Sequence, residues 1–152
     1  MPYIIRGALP SQSAQRSDSF MKLASVRLIT ARLDELVEFY ELVTGATFER
    51  PSPVFAELVT VGGTLAIGGD ATLPLFPGTG LTVASNTSAI LEFQVPDVDQ
   101  ERDRLGDRVQ VLQEPTTMPW GNRAMMLADP DGNRVNLYAP YTEEAKARFA
   151  GR

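Results

Sequence analysis

The sequence predicts an α+β fold in which the order strand, helix and three strands occurs twice. Short apolar runs of strand length and amphipathic helical patterns follow each other in the same order in both halves of the chain. A stretch rich in Pro, Gly, Ser and Thr at residues 71–88 separates the halves as a linker. At 152 residues the chain suits a single domain with its own apolar core.

The first half, residues 22–70, follows a polar N-terminal tail at residues 1–21 and begins with the predicted strand "LASVRLIT". Leu33, Leu36, Val37 and Tyr40 then have the i, i+3, i+4, i+7 spacing of an amphipathic helix, and Gly45 suits its C-terminal cap. We call this unit of one strand, one helix and three strands the first module.

Three further strands are predicted in the first module, at "ATFER", "VFAELVTV" and "TLAIG". Gly62 and Gly63 predict a two-residue hairpin turn between the last two strands, which would pair Val59 with Ala66.

The second half, residues 89–140, repeats the order as a second module. "AILEFQV" predicts a strand, "PDVDQERDRLGD" a helix, and "RVQVLQ", "RAMMLA" and "RVNLYA" three strands. Asp129, Pro130 and Gly132 have the spacing of a type I turn, so Asp129 and Asp131 are predicted turn formers rather than an acid and base pair. Residues 141–152 predict a C-terminal surface helix.

Composition excludes several kinds of site. The sequence has no Cys and no His, which excludes disulfides, thiolate nucleophiles, imidazole bases and every metal site that contains His or Cys. A net charge of -5 argues against a nucleic-acid partner and favours cationic over anionic small molecules. No apolar run has the length of a membrane span and no signal peptide is apparent, so we expect a cytoplasmic protein without a membrane partner.

Three motifs resemble the vicinal oxygen chelate superfamily, which includes glyoxalase I, extradiol dioxygenases, fosfomycin resistance enzymes and bleomycin resistance proteins. They are "FYELVTG", "VPDVD" and "PWGNRAMMLADPDGNRVNLY". The resemblance covers about residues 22–140. It implies that each module curls its sheet into a half-barrel around a cavity with the helices on the outer face. It also implies a homodimer, because many members build the cavity from modules of two chains.

Metal-dependent members of that superfamily place one metal ligand on the first and one on the last strand of each module. The motifs put these four positions, the slots, at Ser25, Ala66, Ile90 and Asn136. A hydroxyl and an amide bring no charge to offset dehydration of a divalent ion, so the sequence predicts neither a metal site nor a cofactor. It therefore resembles a metal-free member of the bleomycin resistance type.

Side chains alternate across a strand, so the slots also predict which residues face the cavity. Arg27, Glu92 and Gln94 then share this inner face with the slots, while Val26, Leu28, Leu91 and Phe93 face the helices. The predicted ligand-binding residues are Ser25, Arg27, Phe55, Glu57, Ala66, Ile90, Glu92, Gln94, Trp120, Asn136 and Tyr138.

Two of these predictions have plainer alternatives. Arg27 and Glu92 could pair with each other across the two modules, with side chains filling the cavity. Trp120, the only Trp of the sequence, could pack over the sheet edge instead of stacking on a ligand.

Three functions fit the sequence. The first is a binding protein that sequesters a small, drug-sized ligand unchanged. The second is a metal-independent isomerase or lyase in which Glu92 or Glu57 abstracts a proton and Arg27 stabilises the developing oxyanion. The third is an interaction module with a vestigial cavity, which an inner face full of large apolar groups would favour.

Overall fold

The computed structural model describes residues 21–152, so the predicted N-terminal tail lies almost entirely outside the described residues. It confirms the predicted α+β fold of two βαβββ modules. The first module comprises β1 (Ser25–Thr30), α1 (Leu33–Thr44), β2 (Glu49–Ser52), β3 (Phe55–Val59) and β4 (Thr64–Gly69), followed by a 3₁₀ helix (Asp70–Leu75). The second comprises β5 (Ile90–Gln94), α2 (Val98–Leu105), β6 (Gln110–Thr117), β7 (Asn122–Ala128) and β8 (Arg134–Pro140), followed by α3 (Glu143–Phe149).

Both modules have the same topology. Each forms a four-stranded sheet, in the orders β1-β4-β3-β2 and β5-β8-β7-β6. The first and last strands of each module pair in parallel, and the remaining neighbours are antiparallel. The sheets do not close into a barrel, so each keeps two distinct faces.

Helix α1 forms where the apolar spacing predicts it. Leu36, Val37 and Tyr40 are buried on one face, and Gly45 ends the helix in the left-handed conformation with φ +71°. Gly adopts this conformation without the steric cost that a Cβ brings, so the cap position selects it.

Helix α2 is shorter than α1, and a side chain caps its N-terminus. The Asp97 side chain accepts a hydrogen bond of 3.0 Å from the Gln100 N–H, which satisfies one of the free donors of the first turn. Only Val98 and Leu105 of this helix are buried.

The outer faces of both sheets meet α1 and α2 in one apolar core. Its members come from the first module (Leu28, Leu36, Val37, Tyr40, Leu58, Ile67) and from the second (Val98, Leu105, Met125, Leu127, Val135, Leu137). Burial of each leucine contributes about 1.5–3 kcal/mol. Val26 is an exception to the predicted pattern, because 42 % of its surface stays exposed at the sheet edge.

A buried carboxylate joins the two modules. Asp129 of the predicted turn accepts two hydrogen bonds at each oxygen: Oδ1 from the N–H groups of Asp131 and Asn133, and Oδ2 from the Asn133 amide and the Tyr40 hydroxyl. The Tyr40 bond is 2.6 Å long and reaches from α1 to the β7–β8 turn. Asp129 is therefore a structural residue, as the turn signature predicts.

A second link between the modules is cationic. Arg104 of α2 donates to the carbonyl oxygens of Leu42 and Val43, at 2.9 and 2.7 Å, in the last turn of α1. A guanidinium at the negative end of a helix dipole is stabilising, and Glu101 holds this one in place.

Helix α3 packs on the inner face of the second sheet. Ala145 is fully buried, the Phe149 and Tyr138 rings lie 5.8 Å apart, and the Gly121 carbonyl accepts from the Tyr141 and Thr142 N–H groups. The C-terminal helix therefore covers one end of a face that the sequence analysis leaves open.

The β3–β4 hairpin differs in register from the prediction. Val59 pairs with Thr64, and Glu57 rather than Val59 pairs with Ala66. The reason is that Thr60 donates its N–H to the Gly63 carbonyl and so closes the turn two residues earlier. A shift of two residues keeps every side chain on its predicted face.

Two other elements depart from the prediction. Strand β2 begins three residues later than "ATFER" suggests, and the linker contains a 3₁₀ helix. None of the helices within residues 21–152 is long and apolar enough to cross a bilayer.

We predict that Tyr40→Phe destabilises the fold by about 1.5–3 kcal/mol, because a buried carboxylate loses one of its donors. Urea unfolding of the purified variant measures this cost. Tyr141→Phe is the control, since Tyr141 is exposed. Equal costs for the two variants would contradict a structural role for the Tyr40 and Asp129 pair.

The same pair predicts an alkaline loss of stability. Burial, together with the neighbouring Asp129 carboxylate, raises the pKa of Tyr40. Because the folded state then holds this proton more tightly, its contribution is complete below the ordinary tyrosine pKa of about 10 and falls as pH rises above it. The free energy of unfolding should fall less steeply above pH 10 in Tyr40→Phe than in the wild type.

We predict that Gly121→Ala is more destabilising than Gly78→Ala. Both glycines have positive φ, +94° and +75°, so both substitutions strain the backbone by about 1 kcal/mol. Only at Gly121 would the new Cβ collide with Thr142 Oγ1 and approach Ala145 Cβ to 3.0 Å. Thermal unfolding and loss of α3 protection in hydrogen exchange test this packing, and equal effects of the two substitutions would contradict it.

Candidate functional site

The inner face of the first sheet has a charged middle row. Cα partners across β1, β4, β3 and β2 place Arg27, Ala66, Glu57 and Glu49 side by side. The next row contains Ile29, Gly68, Phe55 and Ser52. The predicted site residues Arg27, Phe55, Glu57 and Ala66 therefore lie together, with Ser25 one row further along β1.

Arg27 lies over aromatic rings. Its guanidinium carbon is 4.9 Å from the centre of the Phe55 ring and 5.8 Å from that of Phe76. Gly68 contributes to this contact because it places no side chain between β1 and β3. A Cβ there would lie 3.1 Å from Thr72 Oγ1 and 3.3 Å from Ile29 Cδ1. The small residues of β4 thus let Arg27 reach across the sheet.

The inner face of the second sheet has a neutral and acidic middle row. Glu92 and Asn136 are direct Cα partners, and the Asn136 amide donates to Glu92 Oε2 at 2.8 Å. Glu92 is exposed and Asn136 is half-buried. The amide in the last strand is therefore satisfied by a neighbouring carboxylate, and both groups face the open side of the sheet.

Gln94, Tyr138 and α3 form the end of that face. Gln94 and Tyr138 are Cα partners, and Phe149 of α3 contacts the Tyr138 ring. Partial burial, and to a smaller extent the Glu92 carboxylate, raise the pKa of the Tyr138 hydroxyl. Ile90 lies at the opposite end of the strand with 49 % of its surface exposed.

Trp120 lies in the turn between β6 and β7, at the end of the sheet that α3 covers. Trp120 is 57 % exposed, and its carbonyl accepts a hydrogen bond of 3.1 Å from Arg148. The turn is four residues along β8 from the level of Asn136, since Asn122 pairs with Pro140 and Met126 with Asn136. At about 3.3 Å per residue this is roughly 13 Å, so Trp120 lies well away from the middle row that contains Asn136.

The slots do not suit a metal ion. Ala66 and Ile90 have no donor atom, Ser25 offers a neutral hydroxyl, and the Asn136 amide is bonded to Glu92. Within residues 21–152 no three His, Cys, Asp or Glu side chains are grouped closely enough to hold a metal ion. The charge and donor number that a divalent cation needs are not supplied at these positions.

The alternative in which Arg27 pairs with Glu92 is not seen within residues 21–152. Each of these side chains instead contacts its own module, Arg27 through Phe55 and Phe76 and Glu92 through Asn136. The physical reason is that the modules pack through their outer faces, so their inner faces are not opposed in one chain. The three predicted catalytic candidates, Glu92, Glu57 and Arg27, are accordingly split between two separate surfaces.

Two grooves of about 380 and 310 Å³ lie elsewhere. The larger lies where the modules meet and is lined by α1, β5 and α2 residues such as Val43, Phe93 and Arg104. The smaller lies between the second sheet and α3 and is lined by residues such as Pro96, which follows β5, and Phe149 of α3. Of the predicted ligand-binding residues only Gln94 lines them. These two grooves are therefore not the cavity that the sequence resemblance implies, and its predicted lining residues Ser25, Arg27, Glu92 and Gln94 are exposed in the single chain.

Sequence reasoning missed three contributors to these faces. Phe76 comes from the linker, where no periodicity marks it as a contact of Arg27. Phe149 comes from a helix predicted only as a surface element. Asn122 is buried beside α3, and its Oδ1 has no hydrogen-bond partner among the described residues. The small inner-facing residues of "TLAIGG" were the one available signal, because they leave room for side chains from other strands.

We predict that Asn136→Ala changes the free energy of unfolding by less than about 1 kcal/mol, because its hydrogen bond to Glu92 is exposed to solvent. Ligand binding should weaken while the fold is retained. Urea unfolding checks the first part. A cost above about 2 kcal/mol would show that the pair is part of the scaffold rather than of a site.

Comparison with known proteins agrees with this architecture. The family model described as the glyoxalase/bleomycin resistance protein/dioxygenase superfamily matches residues 22–137. No curated protein matches the chain.

Solved structures show the same fold at low sequence identity. A glyoxalase/bleomycin resistance protein/dioxygenase from Nocardioides is 22% identical, with 86% of this chain and 91% of that chain covered and a TM-score of 0.65. A glyoxalase-related enzyme from Fulvimarina pelagi is 22% identical, with coverage of 78% and 87% and a TM-score of 0.67. TioX from Micromonospora sp. ML1 is 21% identical, with coverage of 79% and 99% and a TM-score of 0.61. The family match spans both modules and most of the chain, so this protein belongs to the glyoxalase/bleomycin resistance protein/dioxygenase superfamily.

Proposed function

We propose that this protein binds a drug-sized organic molecule on the inner faces of its sheets, without a metal ion, and releases it chemically unchanged. The observation that carries the proposal is the composition of the two middle rows. They present a guanidinium, carboxylates, an amide and nearby aromatic rings, whereas the slots carry neutral or apolar groups. Such a surface recognises a ligand through stacking and a few polar contacts.

We propose that a homodimer completes the site. In one chain the inner faces point away from each other, and Ser25, Arg27, Glu92 and Gln94 remain exposed on them. If the first module of one copy faces the second module of another, each dimer has two equivalent cavities. Each would then contain Arg27 and Phe55 from one copy and Glu92, Asn136 and Tyr138 from the other. The absence of Cys is consistent with a cytoplasmic location for this dimer.

Catalysis is the second candidate, and the Glu92 and Asn136 pair is the observation that favours it. An amide that donates to one carboxylate oxygen leaves the other oxygen free to accept a proton from a substrate. In the proposed dimer Arg27 of the opposite module would stabilise the resulting oxyanion. Glu57 is the less suited base, because Glu49 is its Cα partner. Two neighbouring carboxylates would repel the anionic intermediate that proton abstraction forms.

An interaction module with a vestigial cavity is not favoured. That function predicts an inner face of large apolar side chains, whereas most side chains of both middle rows are polar or small.

A thermal-shift screen against basic aromatic antibiotics and small metabolites tests binding. A ligand at 100 times its Kd should stabilise the protein by about 2.7 kcal/mol and change the fluorescence of the exposed Trp120. Asn136→Ala should lose most of this stabilisation. Arg50→Gln should keep it, because Arg50 pairs with Asp34 near α1. Ligands that stabilise both variants equally would place binding away from the inner face.

Mass spectrometry separates sequestration from catalysis. After long incubation with saturating protein, a ligand found in the screen should be recovered unchanged. A new product that disappears in Glu92→Gln would replace the binding proposal with the catalytic one. Sedimentation of the protein with and without ligand tests the dimer, and binding at full stoichiometry by a monomer would contradict it.

A further inference from the structure

Arg27 differs from eight of the other arginines within residues 21–152 in what its guanidinium contacts, whereas Arg152 also lies over an aromatic ring, that of Phe149. Eight others donate hydrogen bonds to carboxylate or carbonyl oxygens: Arg32, Arg50, Arg102, Arg104, Arg108, Arg123, Arg134 and Arg148. Within residues 21–152 the contacts of Arg27 are with the Phe55 and Phe76 rings instead. Its N–H groups are therefore available on the inner face.

The two rings hold the guanidinium in a defined position. Contacts of 4.9 and 5.8 Å between its central carbon and the ring centres are within the range of cation–π attraction. A guanidinium stacked on an aromatic face keeps its planar edge of N–H donors free, and this edge matches the two oxygens of a carboxylate or phosphate group. The aromatic rings thus position the Arg27 guanidinium while its N–H donors remain free to bind another group.

The nearest carboxylate in the same row, that of Glu57, does not bind the N–H donors of Arg27. Glu57 lies two strands away, on the far side of Ala66, and forms no ion pair with Arg27. Arg27 is also the Cα partner of Ala66, one of the four slots. At the level of the Ala66 slot, the positive charge on this face is therefore that of the Arg27 guanidinium.

We propose that Arg27 binds an oxyanionic group of the ligand, such as a carboxylate, phosphate or phosphonate, beside an aromatic or apolar part that contacts Phe55 and Phe76. This inference rests on the proposed small-molecule site and specifies the chemistry of its ligand. The net charge of -5 favours a cationic ligand for the chain as a whole, whereas this inference assigns an anionic preference to one site, because Arg27 lies on β1 while Glu57 and Glu49 lie on β3 and β2. The repulsion from Glu57 and Glu49 directs the anion towards β1.

The test uses benzoate, its neutral isostere benzamide, and inorganic phosphate as probes on the ¹⁵N-labelled full-length protein. The Arg27 Nε–H resonance is assigned from its absence in Arg27→Gln. Benzoate should shift this resonance with a Kd of about 1–10 mM, as expected for a small fragment with one strong contact. Phosphate should shift it too, whereas benzamide at equal concentration should not.

Matched variants define the result. Arg27→Gln should weaken benzoate binding about 10-fold or more, and Arg27→Lys should weaken it to an intermediate degree because an ammonium lacks the planar fork. Arg50→Gln removes the same charge from the opposite face of the same sheet and should leave the affinity unchanged. Equal benzoate affinity in the wild type and Arg27→Gln would overturn the inference, as would an Arg27 resonance that stays unshifted at about 50 mM benzoate.

Two outcomes distinguish this inference from the proposed function. If the thermal-shift screen finds ligands whose binding is unaffected by Arg27→Gln, the small-molecule site stands and the role of Arg27 is overturned. If Arg27 instead pairs with Glu92 of a second copy, Glu92→Gln should shift the Arg27 resonance and weaken the dimer. That result would replace an anionic ligand group with a contact between subunits and would also overturn the inference.

Discussion

Each sheet of this protein has one face committed to the apolar core, and the alternation of side chains along a strand then determines the other face. Leu28, Ile67, Leu127 and Leu137 point into the shared core, so their neighbours in sequence must point away from it. The inner faces contribute little to this core, which leaves them free to carry polar groups. This constraint explains why Arg27, Glu92 and Asn136 can occupy the middle rows of the inner faces without buried partners.

The two modules share one topology but differ in charge at corresponding positions on their first strands. Arg27 and Ala66 occupy in the first sheet the row that Glu92 and Asn136 occupy in the second. Tyr40, Asp129 and Arg104 bind the modules to each other through their outer sides. The link is rigid where the core is shared and leaves both inner faces open, which is the arrangement that a cavity between two copies requires.

The elements that the sequence predicts best are those fixed by local chemistry. Periodicity located α1, alternation assigned the faces of β1, β5 and β8, and the "DPDG" spacing predicted the turn at Asp129. The predicted faces of the β3 and β4 side chains were correct even though the predicted register was wrong, because the register error was two residues. The contacts of Phe76 and Phe149 could not be predicted, since they depend on where a linker and a terminal helix return to a sheet. Likewise, no local pattern shows that the modules pack through their outer faces, so the sequence left open whether Arg27 and Glu92 pair with each other, and no such pair forms within the described residues.

We propose that recognition on the inner faces relies on side chains of the protein and not on a bound cation. Its most direct test is a calorimetric titration of the protein with Zn²⁺, Ni²⁺, Mn²⁺ and Fe²⁺, together with metal analysis of the purified protein. We expect no stoichiometric site, and identical weak heats for the wild type and Asn136→Ala. Tight binding of one ion per chain that Asn136→Ala abolishes would contradict it.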